Sequence, residues 1–200
     1  MKRILYAVLA TAAVSLIAPA AFAQGASHSD HIQAGVYGEY FRWDQASTNL
    51  AGLGARLSVN IRPTVQLEAE MGYDFQQIFT EGFKDPSTGS ITLQRTNSRK
   101  LDGLFGPKFE TNRGPVRLFL TVKGGGTSFH FDPRPATFAT FTSTVDNLRA
   151  SNVNGVVYPG GGIEAFLGPF GLRLDVGDEI YFASGAHHNL RVTFGPTIRF

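Results

Sequence analysis

The chain contains no cysteine among its 200 residues, so disulfide frameworks, cysteine nucleophiles and thiolate zinc sites are excluded. Charge is also scarce: 17% of the residues are charged, against 42% hydrophobic and 12% aromatic, a balance that excludes a disordered chain. Glycine is abundant, with 23 residues, and it is unfavourable inside helices. A helical bundle is therefore disfavoured from composition alone.

The first residues have the three-part order of a secretory signal peptide. Lys2 and Arg3 are followed by an uncharged apolar run over residues 4–18, and the sequence then reads Ala21, Phe22, Ala23. The run is too short for an ordinary membrane helix, and the small residues predict cleavage between Ala23 and Gln24. Residues 1–23 are thus predicted to be a signal peptide, and residues 24–200 the mature domain.

Removal of the signal peptide also removes the excess of positive charge. The formal net charge of +2 and the isoelectric point of about 9.0 include Lys2 and Arg3, and without them basic and acidic residues are equal in number. No cluster of Lys and Arg and no RNA-binding motif remains in the mature sequence. Nucleic acid is therefore not an expected partner.

The mature sequence alternates between apolar and polar residues with a period of two, which is typical of β-strands with one apolar face. In the clearest run, Val65, Leu67 and Ala69 alternate with Gln66 and Glu68. Eight such runs are predicted, over residues 30–43, 49–61, 64–79, 97–111, 116–131, 151–167, 171–182 and 189–200.

The connections between these strands alternate in length. Tight turns at 62–63, 112–114 and 168–170 alternate with longer polar connections at 44–48, 80–96, 132–150 and 183–188. An even number of strands with short turns at one end and longer loops at the other is typical of bacterial outer-membrane barrels. The predicted fold class is all-β, an eight-stranded antiparallel up-and-down transmembrane β-barrel.

A lipocalin-like soluble barrel has the same apolar–polar alternation, but its apolar face points inward. The residues of the polar face distinguish the two kinds of barrel. That face combines many glycines with charges of both signs, which suits a crowded interior, whereas strand glycines on a solvent face would weaken the sheet. The other face carries almost no charge. Asp178 is the exception, and either a bulge at Gly177 or a position above the hydrocarbon would explain it.

Two local features complete the expected fold. Aromatic residues near the strand ends predict two interfacial girdles, formed by Tyr40, Trp43, Phe79, Phe129 and Phe182 toward the long loops and by Phe109, Phe166, Phe170 and Phe200 toward the short turns. Prolines at 107, 159 and 196 fall within strands, where each deletes a ladder hydrogen bond, so bulges or bends are expected there.

Six short stretches of the mature sequence form a distinctive set: LFGPKF at residues 104–109, GPVRLF at 114–119, GGG at 124–126, GGGIE at 160–164, GLRL at 171–174 and NLRVTFG at 189–195. This set resembles the OmpA-like and OmpX-like outer-membrane β-barrel domain proteins. The resemblance covers the mature chain and implies a location in the bacterial outer membrane. It also implies that the barrel-assembly machinery reads Phe200 as an assembly signal, and it brings no catalytic motif.

The predicted register turns a balanced set of charged side chains inward, where they would pair with one another or line a solute path. The main candidates are Arg56, Glu68, Glu70, Asp74, Lys108, Lys123, Glu164, Arg173, Asp175 and Arg191, and the same face also carries Glu39, Lys100, Asp102, Arg117, Glu179 and Arg199. Side chains can just fill an eight-stranded barrel, so a plugged interior is favoured over a narrow porin-like channel for small solutes.

Candidates for catalysis are weak. Ser128, His130 and Asp132 share one face of a strand, but residues two apart on a strand lie about 6.5 to 7 Å apart, too far for a Ser–His hydrogen bond. No set of His, Asp and Glu has a recognisable metal-ligand spacing, and no cofactor motif is present. A lipid-modifying enzyme therefore stays a second alternative.

The sequence thus predicts a structural or surface-interaction protein of the outer membrane rather than an enzyme. Outer-membrane lipid and the assembly machinery are its expected partners, with an unidentified extracellular ligand at the long loops as a further possibility.

Overall fold

The computed structural model describes residues 31–84, 91–111, 114–132 and 153–200. The predicted signal peptide and most of the connection at 132–150 lie outside these residues. Ten strands are found: β1 Ile32–Trp43, β2 Thr48–Arg62, β3 Val65–Lys84, β4 Ile91–Glu110, β5 Val116–Asp132, β6 Asn154–Leu167, β7 Phe170–Asp178, β8 Ile180–Phe182, β9 Ala186–His187 and β10 Leu190–Arg199. Within the described part of the chain, no helix is both long and apolar enough to cross a membrane.

The strands close into one antiparallel barrel. They follow the order β5, β4, β3, β2, β1, β10, β7, β6, and pairing of β5 with β6 completes the ring. β8 continues β7 as one wall strand, because both pair with β6 in the same register, Gly160 with Gly177 and Val157 with Ile180. β9 is a short strand paired only with β8. The predicted fold of an eight-stranded antiparallel barrel is confirmed.

The two ends of the barrel differ in their connections. At the turn end, β2 and β3 are joined by two residues, and so are β6 and β7, where Gly168 adopts a φ of 63°. A left-handed conformation of this kind favours glycine. At the other end, called the loop end below, lie the turn at 44–47, the tip of the β3–β4 hairpin and the connection from β5 to β6.

The connection expected at residues 80–96 is mostly strand, so that prediction was wrong. β3 and β4 pair as far as Lys84 and Ile91, which leaves only residues 85–90 between them. A register shift between Asp74 and Gln77 marks a bulge in β3 below this extension. Polar residues predominate in the sequence of this stretch, so the period-two criterion, which requires an apolar face, does not detect it.

The expected bulges at the three strand prolines do not occur. The β4–β5 register is the same on both sides of Pro107, and the β1–β10 register is the same on both sides of Pro196. Pro107 still pairs with Leu67 on β3, and Pro196 with Leu172 on β7. A strand residue bonds its N–H to one neighbour only, so each proline interrupts one ladder and leaves the other intact.

The glycines beside these prolines explain how the interrupted ladders stay closed. A Cβ on Gly106 would collide with the carbonyl oxygen of Val122, and a Cβ on Gly195 with that of Val36, each across the interrupted ladder. Only glycine permits the backbones to approach so closely at these points. The Gly–Pro pairs therefore mark close strand contacts rather than bends.

Alternation along each strand separates two surfaces. The inner face holds charged and aromatic side chains, and the outer wall holds large apolar ones that are roughly half exposed, such as Leu53, Met71, Phe105, Leu120 and Phe194. Asp178 belongs to the outer wall without any register shift at Gly177. It lies at the loop end, where its carboxylate accepts a hydrogen bond from the backbone N–H of Asn189 and pairs with His188.

The predicted girdles are only partly formed. Tyr40 and Phe182 at the loop end face outward, as do Phe109, Phe170 and Phe200 at the turn end. Trp43, Phe129 and Phe166 instead point into the barrel, so that part of the prediction was wrong. Each lies an even number of residues from an inward charged residue on its own strand, so the two side chains point to the same face. Closure of the barrel turns that whole face inward. The side chain of Phe79 lies outside the described part.

Candidate functional site: the barrel interior

The structure places all ten of the main candidate residues in the interior, each buried. Glu39, Lys100, Asp102, Arg117 and Glu179 are buried with them. Glu110 is also buried in the interior, although it was not among the candidates. The period of two along β4, counted from Lys108, indicates this inward position. Arg199 lies at the margin, where its Nε donates to the carbonyl of Gly168 and its guanidinium covers the ring of Phe166.

The charged residues form three connected clusters along the barrel axis. The lowest, near the turn end, centres on Lys108, whose Nζ lies 2.7 Å from Glu164 and 3.0 Å from Glu110. Arg117 also pairs with Glu110, at 3.1 Å, and Gln33 donates to Glu164. These contacts link side chains of β1, β4, β5 and β6 near the turn end.

The middle cluster centres on Glu68. Arg173 binds both of its oxygens, with Nη1–Oε2 at 2.5 Å and Nη2–Oε1 at 3.0 Å, and Lys123 lies 2.6 Å from the same carboxylate. Arg173 also reaches Asp175, at 2.7 Å, and Lys123 reaches Glu70, at 2.9 Å. Paired planar contacts of this kind are among the strongest ionic hydrogen bonds in proteins.

Further side chains complete the middle cluster. The Tyr158 hydroxyl donates to Asp175 at 2.7 Å, and Arg56 donates to the Thr193 hydroxyl at 2.8 Å. The guanidinium of Arg56 also covers the ring of Tyr37, 4.2 Å from its centroid. Hydrogen-bonded side chains from β2, β6, β7 and β10 thus extend into the middle of the barrel.

The upper cluster centres on Lys100. Its Nζ lies between 3.0 and 3.3 Å from the nearest oxygens of Glu39, Asp74, Asp102 and Glu179. Arg191 links this cluster to the middle one, because it binds Glu39 at 2.8 Å and Glu70 at 2.7 Å. Four carboxylates therefore surround a single ammonium.

The charges of the three clusters do not cancel. Among the described buried residues, nine carboxylates face seven basic side chains. The lower and middle clusters balance, with five acids (Glu68, Glu70, Glu110, Glu164, Asp175) and five bases (Arg56, Lys108, Arg117, Lys123, Arg173). The formal excess of two negative charges thus lies in the upper cluster, where neither oxygen of Asp74 or of Asp102 accepts a hydrogen bond from a described residue.

Three of these carboxylates have a spacing suited to a metal ion. Oxygens of Glu39, Asp74 and Asp102 lie within 4.8 Å of one another. The ammonium of Lys100, however, lies 3.0 to 3.3 Å from all three, so it fills the position that a hard cation would take. The arrangement therefore does not fit a metal centre.

Aromatic side chains cover the upper cluster at the loop end. Phe41 lies over Lys100, with Nζ 3.9 Å from its ring centroid. Above it the rings of Trp43 and Phe129 stack at 4.8 Å, and Trp43 Nε1 donates to the Tyr181 hydroxyl at 2.8 Å. Tyr181 in turn donates to Gln45. We call Phe41, Trp43, Phe129 and Tyr181 the aromatic cap.

Two of the three catalytic candidates of β5 do not enter this interior. Ser128 and His130 lie on the outer wall, and the side chain of Asp132 is outside the described part. Two inward hydroxyls belong to the ion-pair network: Ser58 donates to Glu68, a carboxylate that Arg173 and Lys123 also bind, and Thr193 accepts from Arg56. The interior is an ion-pair core with an aromatic cap.

No protein-family model matches the chain. No curated protein sequence matches it either. Solved structures do match: Neisserial surface protein A aligns with a TM-score of 0.53 at 12% identity, covering 85% of this chain and 96% of that one. Ail of Yersinia pestis, in complex with the heparin analogue sucrose octasulfate, aligns at 0.48 and 14%, covering 85% and 97%. The outer membrane protein W of E. coli aligns at 0.47 and 13%, covering 85% and 97%.

The likeness to Neisserial surface protein A is a likeness of fold. It agrees with the closed ring of eight wall strands described above and with the resemblance found in the sequence. The chain has the fold of the eight-stranded outer-membrane β-barrels.

Proposed function

We propose that this protein is an outer-membrane barrel with a plugged interior, and that it acts as a structural or surface-interaction protein rather than as a channel or an enzyme. One observation carries the proposal: the Arg173–Glu68 pair joins β7 to β3, which lie opposite each other in the ring with three wall strands between them on either side. Two side chains that meet across the whole barrel obstruct a water-filled path at that depth, which supports the proposal.

The outer wall supports the membrane location. Large apolar side chains cover it on every wall strand, and Leu120 and Met71 are 69% and 63% exposed. A soluble protein rarely exposes so continuous an apolar surface, whereas lipid contact requires one. The predicted signal peptide, with cleavage between Ala23 and Gln24, provides the export route that such a location needs.

Assembly is proposed to depend on Phe200. Its backbone N–H donates to the carbonyl of Ile32 at 2.9 Å, and the N–H of Ile32 donates to its carbonyl at 3.0 Å. These bonds close the seam between the first and last wall strands, while the Phe200 side chain is half exposed on the outer wall. A residue with an accessible ring at the closing seam is suited to recognition by the barrel-assembly machinery.

Planar-bilayer recording tests the plugged interior. We expect no steady single-channel current from the folded protein, and none from an Arg62→Gln control at the turn end. The double variant Glu68→Ala/Arg173→Ala removes the pair that joins opposite strands, and we expect it to produce small currents if it stays folded. Steady currents from the unaltered protein that change in Lys123→Gln would establish the channel alternative.

Fractionation tests the location. In a bacterial host we expect the protein in outer-membrane fractions, with an N-terminus at Gln24 by mass spectrometry. Phe200→Ala is expected to lower the inserted amount and to leave unfolded chain in the periplasm. Recovery as a soluble periplasmic protein would refute the location, and helix-dominated circular dichroism would refute the fold.

A further inference from the structure

Two basic side chains lie next to each other on the outer wall near the loop end. Arg99 on β4 and His130 on β5 are direct partners in the antiparallel register, and both are exposed. Side chains opposite each other in this way begin about 5 Å apart. Among the described side chains no acid pairs with Arg99, whereas Arg42, which also faces outward near the loop end, pairs with Asp44 at 3.0 Å.

A groove runs along β5 from this pair toward the middle of the wall. Its floor is the outward face of Ser128, Gly126 and Gly124, which carries no large side chain over about 13 Å of strand. A Cβ at Gly124 would meet only the Val156 carbonyl oxygen, at 3.8 Å, and one at Gly103, beside Gly126 on β4, would meet nothing within 4 Å. At Gly126 a Cβ would lie 2.9 Å from Cγ1 of Val153, so this side chain leans over the middle of the floor. The open depression lies at Gly124 and at Gly103.

Apolar side chains on the neighbouring strands form the walls of this groove. Leu101 and Phe105 border it on β4, directly opposite Ser128 and Gly124, and Val153 and Val157 border it on the β6 side. All four are exposed, with Val153 at 64% and Phe105 at 58%. Among the described side chains, those that border the groove are apolar, and the basic ones lie at its loop end.

We propose that this groove holds an acyl chain of an anionic lipid whose phosphate lies between Arg99 and His130, an inference that rests on the proposed membrane location. Guanidinium binds phosphate oxygens through two parallel hydrogen bonds, and the histidine ring supplies an N–H donor in either protonation state. The backbones of β4 and β6, on either side of β5, lie about 10 Å apart, and their side chains make the groove narrower than this. A single hydrocarbon chain fits this width, but a helix of about 10–12 Å diameter does not.

Spin-labelled lipids test the headgroup contact. The full chain, purified and refolded in phosphatidylcholine vesicles, is compared with labelled phosphatidic acid and labelled phosphatidylcholine of the same chain length. We expect motionally restricted phosphatidic acid to exceed restricted phosphatidylcholine by about fivefold, since one juxtamembrane cation contributes about 1 kcal/mol. Arg99→Gln and His130→Gln together are expected to abolish this difference. The control Arg62→Gln, which removes an exposed cation at the turn end, leaves it unchanged.

Filling the groove tests the acyl-chain contact. Ser128→Leu and Gly124→Leu each add a side chain to the floor where there is room for it, and we expect fewer restricted lipids of both kinds although both cations remain. Leu118→Phe enlarges the same strand outside the groove and serves as the control. Unchanged lipid restriction in both groove variants would contradict the acyl-chain contact.

The same samples separate failure of this inference from failure of the proposed function. Heat-modifiable migration on gels reports whether each variant has folded into the vesicles. Inserted protein without selectivity for phosphatidic acid would overturn the lipid site alone, whereas failure to insert would overturn the membrane location. Displacement of phosphatidic acid by inorganic phosphate would show that the free anion is the ligand, and would also overturn the lipid site.

Discussion

Arg173 and Glu68 lie on opposite walls of the barrel and meet through two parallel hydrogen bonds, with Nη1–Oε2 at 2.5 Å and Nη2–Oε1 at 3.0 Å. Both side chains are buried, and Lys123 and Asp175 extend the contact on either side. The pair therefore acts as a crosslink through the centre of the molecule, and its loss should affect the whole barrel.

Glu68→Gln should destabilise the barrel strongly. The substitution takes the shared carboxylate away from Arg173 and Lys123, which keep only their contacts with Asp175 and Glu70. Removing one partner of a buried ion pair costs about 3–5 kcal/mol. The measurement is the free energy of unfolding by urea in lipid vesicles. Asp178→Asn, which alters an exposed pair with His188, is the control and should cost less than about 1 kcal/mol. Equal losses in the two variants would contradict the crosslink.

The excess acid of the upper cluster should carry protons. The four carboxylates of this cluster share two bases, Lys100 and Arg191, and two uncompensated charges are too costly to bury. We therefore expect the cluster to hold protons at neutral pH. Infrared spectroscopy of the folded barrel should show a carboxylic acid C=O band that is lost in Asp74→Asn/Glu179→Gln. That double variant should unfold with nearly unchanged free energy. A band that persists, or destabilisation as large as that of Glu68→Gln, would contradict this assignment.

Fluorescence should report the aromatic cap. Trp43 is the single tryptophan of the sequence, and its side chain is fully buried inside the barrel. We expect emission at short wavelength, little quenching by acrylamide and little quenching by brominated lipids. Tyr181→Phe removes the acceptor of the Trp43 indole hydrogen bond and should cost about 1 kcal/mol while shifting the emission. Strong quenching by brominated lipids would place Trp43 in an outer girdle instead.

A charged residue introduced on the outer wall should lower the free energy of unfolding by an amount that depends on its depth in the membrane. Val122 and Val116 lie on the same face of β5 and are about equally exposed, but Val116 begins the strand at the turn end. In vesicles we expect Val122→Arg to lower the free energy of unfolding by about 2–4 kcal/mol and Val116→Arg by about 0–1 kcal/mol. Equal small effects at both positions would indicate that the wall faces water.

Local alternation was enough to predict most of the fold. The period of two in β3 places Glu68 and Glu70 on one face and Ala69 and Met71 on the other, whatever the strand packs against. Trp43 is four residues from Glu39 on the same strand, so the period of two already predicted that both face inward. The girdle prediction failed for Trp43 because it relied on the residue type and on the position near the strand end. The β3–β4 extension could not be predicted, because its pairing depends on the partner strand rather than on an apolar face.

The sequence by itself determined the strands, the inward and outward faces and the inventory of interior charges, because side-chain direction in a strand depends only on residue parity. Only the tertiary structure decided which charges meet. Glu68 and Arg173 are 105 residues apart and on opposite walls, and their contact depends on the register of every strand pair around the closed ring. Closure likewise confined the excess of acid to the cluster around Lys100, because the depth of a side chain in the barrel depends on strand stagger.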